Sequence, residues 1–109
     1  MTNAFQDREK GFERKFELDQ ELAFRIKAHR DRLFGLWVAA QIGKSGTAAE
    51  VYASELIATN FEHPGDDDML DKVRADLRFQ NMFVEDRNIL RQLRKAEAES
   101  ARDVLGPDV

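Results

Sequence analysis

The sequence predicts an all-α protein, a small four-helix bundle with a mobile or weakly helical N-terminal arm. Apolar residues recur at steps of three, four and seven along most of the chain, and no segment alternates with the strand period of two. Glycine and proline occur at few points, and they divide the chain into helix-length segments. A length of 109 residues supports one domain with a modest core.

The first predicted helix runs from about Leu18 to Ile42, because its apolar residues keep to two adjacent stripes. Gly43 and Gly46 follow the last periodic residue and are expected to end the helix. The two stripes consist of Leu18, Leu22, Ile26, Leu33 and Trp37, and of Phe34, Val38 and Ile42.

The second predicted helix runs from Thr47 to about Phe61. Thr47 and Glu50 have the spacing of a capping box, in which the two side chains bond to free backbone N–H groups of the first turn. The sequence Pro64-Gly65 is then expected to end this helix. The residues expected to face the core are Val51, Ala53, Leu56, Ile57 and Phe61.

The third predicted helix opens at the acidic run 66–68, whose charges complement the positive end of the helix dipole. The fourth runs from about Glu85 to Leu105 and ends at Gly106-Pro107. The residues expected to face the core are Leu70, Val73 and Leu77 in the third helix and Ile89, Leu90 and Leu93 in the fourth.

The N-terminal arm carries Phe5, Phe12 and Phe16, spaced seven and four apart as on one face of a helix. Like charges four residues apart oppose that helix by roughly 0.2–0.5 kcal/mol a pair, and Gly11 by about 1 kcal/mol relative to alanine. Opposite charges three apart recover part of this. Two alternatives stay open: the arm extends the first helix onto the bundle, or it is mobile when free and helical on a partner. The predicted organisation is an arm at 1–17, a bundle at 18–105 and a tail at 106–109.

Composition and motifs argue against an enzyme. The chain has no cysteine, and His29 and His63 have no nucleophile at a catalytic spacing. Gly43-Lys44-Ser45 lacks the earlier glycine and the preceding strand of a phosphate-binding loop. The acidic cluster at 66–71 lacks the spaced ligands of a calcium loop. No catalytic residue and no metal site is therefore predicted.

Charge and hydropathy limit the partners. No segment has the contiguous basic face that nucleic-acid binding needs. The longest apolar run, 36–40, is too short to insert into a membrane. The N-terminus lacks the apolar region of a secretory signal, which favours the cytoplasm. No cofactor is required, although Arg30 and Trp37 form a weak candidate site for ATP or ADP by charge and stacking.

Residues 5–80 together resemble the zeta-subunit family of alphaproteobacterial F-type ATP synthases, small inhibitors of ATP hydrolysis. The residues that carry the resemblance are Phe5, Asp7-Arg8-Glu9-Lys10, Phe12-Glu13, Lys15-Phe16, Asp19, Glu21-Leu22, Phe24, Gly35-Leu36-Trp37, Tyr52-Ala53, Phe61-Glu62, Pro64-Gly65-Asp66, Lys72-Val73 and Asp76-Leu77.

This resemblance implies a four-helix fold and an inhibitory N-terminal segment that enters a catalytic interface of the ATP synthase head. The implied partners are the alpha, beta and gamma subunits, which would place the protein in the cytoplasm, peripheral to the inner membrane. The alternatives are an adenine-nucleotide-binding regulatory module and a general protein-interaction adaptor. The partner-binding residues that the resemblance implies are Phe5, Asp7, Arg8, Glu9, Lys10, Phe12, Glu13, Lys15 and Phe16.

Overall fold

The computed structural model describes the backbone of residues 4–106 and the side chains of residues 17–106. In this part of the chain there are four helices and no strand, which confirms the all-α prediction. Within the same range, none of the helices combines the length and hydropathy needed to span a membrane. The helices are α1 (Ala4–Gln41), α2 (Gly46–Glu62), α3 (Asp67–Phe79) and α4 (Asp86–Leu105).

Helix α1 is the axis of the bundle. Helices α2 and α4 pack antiparallel along it, and α3 makes smaller contacts with α1 and α2. The antiparallel course of α4 is seen in its pairs with α1, because Gln41 lies near Asn88 whereas Ile26 contacts Ser100. The core consists mainly of Phe34, Val38, Ala39, Tyr52, Ala53, Leu56, Met69, Val73, Leu77, Ile89, Leu93 and Ala96.

Helix α1 begins at Ala4, so the predicted start near Leu18 is too late. Extending a helix from a packed segment adds one hydrogen bond per residue, and it avoids the cost of forming a first turn. This offsets the unfavourable local terms in the arm. The predicted end is confirmed, since Gly43 takes a positive φ of 80° and Lys44 N–H donates to the Ala39 carbonyl at 2.8 Å.

The predicted inward face of α2 is partly wrong. Ala53 and Leu56 are buried and Ile57 is half-buried, but Val51 and Phe61 are 53% and 69% exposed. The buried stripe is shifted by one position, because small and polar residues on α2 face α1. Its members are Ala49, Tyr52, Ala53, Leu56 and Asn60.

The predicted capping box at Thr47 does not form. Helix α2 starts at Gly46, with Ser45 at the N-cap and no side-chain cap bond. Glu50 instead accepts a hydrogen bond from Arg32 of α1 at 2.7 Å. Glu50 thus pairs with Arg32 of α1 and not with a backbone N–H group of its own helix.

The predictions for α3 and α4 agree with the structure. Leu70, Val73 and Leu77 are buried on α3. Ile89 and Leu93 are buried on α4, and Leu90 is half-buried against the core. Among the described side chains of α1, at 17–41, the buried ones all lie after residue 29, and Leu18 is 46% exposed.

Candidate partner-binding helix and its mount

Helix α1 is far longer than the helices that pack on it. Its 38 residues span about 57 Å, whereas α4, the next longest, has 20 residues and spans about 30 Å. The described side chains at 17–21 are all exposed, and Leu22 is the first that is half-buried. The molecule accordingly measures 68 × 30 × 28 Å. We call the part of α1 before Leu22 the projecting helix.

The other half of α1 is fixed firmly in the bundle. Phe34, Val38 and Ala39 have no exposed surface. At Gly35 the backbone of α2 approaches so closely that a Cβ would lie 2.7 Å from the Cα of Ala53. Because only glycine fits this crossing without a shift, the two helices pack backbone to backbone there.

A buried polar cluster joins α1 to α2 and to the N-terminus of α3. Arg30 donates from Nε to Asp31 at 3.0 Å, and from Nη2 and Nη1 to the two carboxylate oxygens of Asp66 at 2.6 and 3.3 Å. The Asn60 amide donates to Asp31 at 2.8 Å and to Asp66 at 2.9 Å. In residues 17–106 every buried side-chain polar atom has a hydrogen-bond partner. The buried charges of this cluster are therefore all hydrogen-bonded, as charges removed from water must be.

The two carboxylates of this cluster differ in their electrostatics. Burial raises the pKa of Asp31 above its ordinary value, because desolvation outweighs the bonds from Asn60 and Arg30. Partial burial acts in the same direction on Asp66, but there the hydrogen bonds from Arg30 and Asn60 prevail and lower the pKa. Asp66 keeps 31% of its side chain exposed, against 3% for Asp31. The bonds from Arg30 and Asn60 therefore keep the pKa of the more hydrated carboxylate, Asp66, below its ordinary value, whereas the pKa of Asp31 stays above it.

A second set of polar contacts ties α4 to α1 near the projecting helix. The Ser100 hydroxyl, fully buried, donates to the backbone carbonyl of Ile26. His29 Nε2 lies 2.9 Å from Oδ2 of Asp103, with both side chains partly exposed. Together with the Arg30 cluster, these contacts fix α1 at the point where it leaves the bundle.

The predicted partner-binding residues lie on the projecting helix, but their side chains fall outside the described part of the structure. The backbone from Ala4 onward belongs to α1. The set comprises Phe5, Asp7, Arg8, Glu9, Lys10, Phe12, Glu13, Lys15 and Phe16. Their role stays a prediction, as does the division into an arm at 1–17, a bundle at 18–105 and a tail at 106–109.

The two candidate nucleotide-binding residues have separate surroundings. Arg30 is buried, and it is already bonded to Asp31 and Asp66. Trp37 is half-buried and stacks on Phe34 with ring centroids 6.2 Å apart. The depression beside Trp37 is lined by α4 residues such as Lys95 and does not include Arg30. Binding of ATP or ADP stays a prediction.

The described side chains form no cluster of three His, Cys, Asp or Glu residues that could hold a metal ion. Within the acidic run, Asp66 bonds to Arg30 and Asn60, whereas Asp67 and Asp68 lie in the first turn of α3. His63 approaches Asp68 at 3.5 Å on the exposed surface. No side-chain cap bond forms at this end of α3; instead, Asp66 anchors it to α1 and α2.

Sequence reasoning missed Asp31, Asn60 and Ser100 as buried residues. Asn60 follows Tyr52 and Leu56 at steps of four along α2, so helical phase alone could have placed it on the inner face. Nothing local indicates that Asp31 and Asp66 share one arginine, because Asp31 lies on α1 and Asp66 directly precedes α3, far away in sequence.

The fold defines a class: a small all-α protein in which one helix of 38 residues continues well beyond the three shorter helices that pack on it. The chain belongs to the ATPase inhibitor subunit zeta family, whose model matches residues 1–103. Membership indicates an inhibitory regulatory subunit of an ATPase. A search of curated proteins gave no match.

Proposed function

We propose that this protein inhibits ATP hydrolysis by the F-type ATP synthase, with the projecting helix as the inhibitory element. The observation that carries the proposal is the length of α1, which continues for several turns beyond the helices that pack on it. The described side chains of this part, at 17–21, are exposed, so this stretch of the helix is available to another protein. The family of ATPase inhibitor subunits supplies the class of that partner.

In the proposed mechanism, residues 1–17 enter a catalytic interface of the head, formed by the alpha, beta and gamma subunits. Phe5, Phe12 and Phe16 act as buried anchors, since large aromatic side chains dominate binding when they fill desolvated pockets. The surrounding charges set the orientation of the helix in the cleft. An inserted helix keeps the interface from changing shape, so the catalytic cycle stops without competition for ATP.

The bundle acts as the mount in this mechanism and performs no chemistry. The Arg30 cluster and the Gly35 crossing anchor the part of α1 that lies inside the bundle, and the arm continues from that anchored part. The protein would then sit in the cytoplasm, peripheral to the inner membrane through its contact with the ATP synthase.

The test is a titration of purified cognate ATPase with three forms of the chain while ATP hydrolysis is followed. The forms are the full chain, the chain without residues 1–16, and Phe12→Ala/Phe16→Ala. We expect the full chain to inhibit, the shortened chain to leave hydrolysis unchanged, and the double variant to need at least about tenfold more protein.

A matched control is Phe79→Ala/Phe83→Ala, which also removes two phenylalanines. These side chains are 84% and 92% exposed and lie at the opposite end of the bundle. This control should inhibit as well as the full chain. The mechanism is wrong if the full chain leaves hydrolysis untouched, or if the shortened chain inhibits equally well.

A further inference from the structure

An exposed apolar surface lies where the projecting helix leaves the bundle. Phe24 of α1 is 55% exposed and Phe61 of α2 is 69% exposed. Their rings meet edge to face, with centroids 5.9 Å apart and planes at 83°. Because the two rings touch and line one groove, they form a contiguous apolar surface, which is a candidate interaction site in a way that a single exposed ring is not. We call Phe24, Lys27, Ile57, Phe61 and Pro64 the exit surface.

The exit surface is concave. A groove of about 530 Å³ runs between α1 and α2, and a second depression lies on the α4 side of Phe24, with Val104 in its lining. The two share Phe24, Ala28 and Ile57, so the Phe24 ring stands as a ridge between them. Two adjacent apolar depressions separated by one ring suit the ridged side chains of a helix.

Within residues 17–106, one cation of the exit surface forms no direct ion pair, although its charge helps to lower the pKa of Asp66. Lys27 lines the groove, and among residues 17–106 no carboxylate comes within 4.0 Å of its ammonium. Asp31, the carboxylate four residues along α1, is bonded to Arg30 and Asn60. The complement of this surface is therefore an apolar face with a carboxylate beside it.

The short distance to the projecting helix favours one occupant, the protein that would hold that helix under the proposed function. Phe16 and Phe24 are eight residues apart on one helix, or about 12 Å along its axis. If the projecting helix is held in a cleft, the exit surface lies at the mouth of that cleft. Its neighbour there is the protein that forms the cleft.

From these observations we infer that the exit surface docks on the ATPase subunit that holds the projecting helix. Its occupant is an amphipathic helix with an acidic residue opposite Lys27. The inference rests on the proposed function and divides it into two contacts: the arm blocks the cycle, and the exit surface retains the inhibitor. Two linked contacts raise affinity because the second forms within one molecule.

The experiment measures binding and inhibition separately. Full-length wild type, Phe24→Ser/Phe61→Ser and Lys27→Glu are each tested against immobilised purified ATPase for Kd and dissociation rate. Maximal inhibition of hydrolysis is then measured at saturating protein. The matched control is Phe79→Ser/Phe83→Ser at the other end of the bundle. Thermal unfolding checks each fold, and exposed positions such as these should tolerate serine.

We expect Phe24→Ser/Phe61→Ser to raise Kd at least about tenfold, mainly through faster dissociation. Inhibition at saturation should stay complete, because the arm is intact. Lys27→Glu should weaken binding more at low salt than at high salt, since screening reduces the repulsion from the partner's carboxylate. The control should keep its Kd within about twofold, as expected for a residue outside the interface.

The outcomes separate this inference from the proposed function. If the wild type inhibits and Phe24→Ser/Phe61→Ser binds equally tightly, the docking inference is wrong and the inhibitory mechanism stands. If the wild type binds without inhibiting, the mechanism fails, and the same Kd comparison still decides the inference. Absence of any binding overturns both. Self-association lost in Phe24→Ser/Phe61→Ser, with unchanged ATPase binding, would assign the surface to a second copy of this chain and overturn the inference.

Discussion

The two halves of α1 share one continuous helix but have opposite surroundings. In the half that contains Phe34 and Val38, these two side chains have no exposed surface, and a neighbouring backbone approaches as closely as glycine permits. In the other half, the described side chains at 17–21 face outward. Tertiary burial stabilises the first half, whereas the second depends on the continuation of backbone hydrogen bonds from the first. One continuous helix can thus combine a half that is packed in the bundle with a half whose described side chains are exposed.

The largest loss of stability is expected from breaking the polar cluster around Arg30, which fixes the buried half of α1. Arg30→Met leaves the Asp31 carboxylate buried without its cation, and Asp31 is only 2% exposed. We expect a loss of about 3–5 kcal/mol in the free energy of unfolding, measured by urea denaturation. Arg32→Met is the control, because the Arg32–Glu50 pair is largely hydrated and should contribute no more than about 1 kcal/mol. Equal losses in the two variants would contradict a structural role for the cluster.

A smaller effect, with a distinctive pH dependence, is expected from Asp66→Asn. The pKa of Asp66 is lowered in the fold, so its stabilisation is present above the ordinary value of 3.8 and is lost as pH falls through the lowered pKa. At neutral pH the variant should be less stable by about 2 kcal/mol, the usual contribution of a hydrogen bond to a charged group.

The acid limb of stability should then be flatter in Asp66→Asn than in the wild type. The contribution of Asp31 to stability changes with pH in the opposite direction. Its pKa is raised in the fold, so the folded state takes up the proton more readily and this contribution grows as pH falls. Thermal unfolding from pH 3 to pH 7 compares the two chains. Parallel curves would show that Asp66 is not the group whose protonation matters.

A third prediction concerns the close crossing of α1 and α2. In Gly35→Ala the new Cβ meets the Ala53 Cα at 2.7 Å, so the backbones must separate. Overpacking costs about 1–3 kcal/mol, and the better helix propensity of alanine offsets up to about 1 kcal/mol of it. The net loss in urea denaturation should be about 1–2 kcal/mol. A Gly35→Ala variant that is more stable than the wild type would mean that the two backbones lie farther apart at this crossing than the structure shows.

The same substitution in the other half of α1 should have the opposite sign and the smallest effect. Gly11→Ala lies in the projecting helix, where helix propensity favours alanine by up to about 1 kcal/mol. Helix content by circular dichroism should rise slightly, and the global unfolding midpoint should change little. Loss of stability in Gly11→Ala, as in Gly35→Ala, would show that the two halves are not different environments.

Sequence patterns predicted some elements well and others poorly, for identifiable reasons. Leu70, Val73 and Leu77 form one stripe on a short, otherwise polar helix, so α3 has a single inward face. Helix α2 carries apolar residues on several sides, and the stripe that faces inward depends on where α1 lies. The sequence pattern consequently predicts Val51 and Phe61 in the core, although they are exposed.

The candidate site shows the same division. The aromatic spacing of Phe5, Phe12 and Phe16 is visible in the sequence because it is a local period. The exit surface pairs Phe24 with Phe61, residues on separate helices that only packing brings together. The bond from Arg30 to Asp66 likewise spans 36 residues of sequence.

The sequence by itself determined the helical class, the four segments, the breaks at Gly43 and Pro64-Gly65, and the resemblance to an inhibitor family. These are consequences of local period, turn chemistry and motif spacing. Only the tertiary structure decided how far α1 extends beyond its partners, which face of α2 is buried, and which charges share Arg30. Those features depend on the relative position of helices distant in sequence, for which a local pattern carries no information.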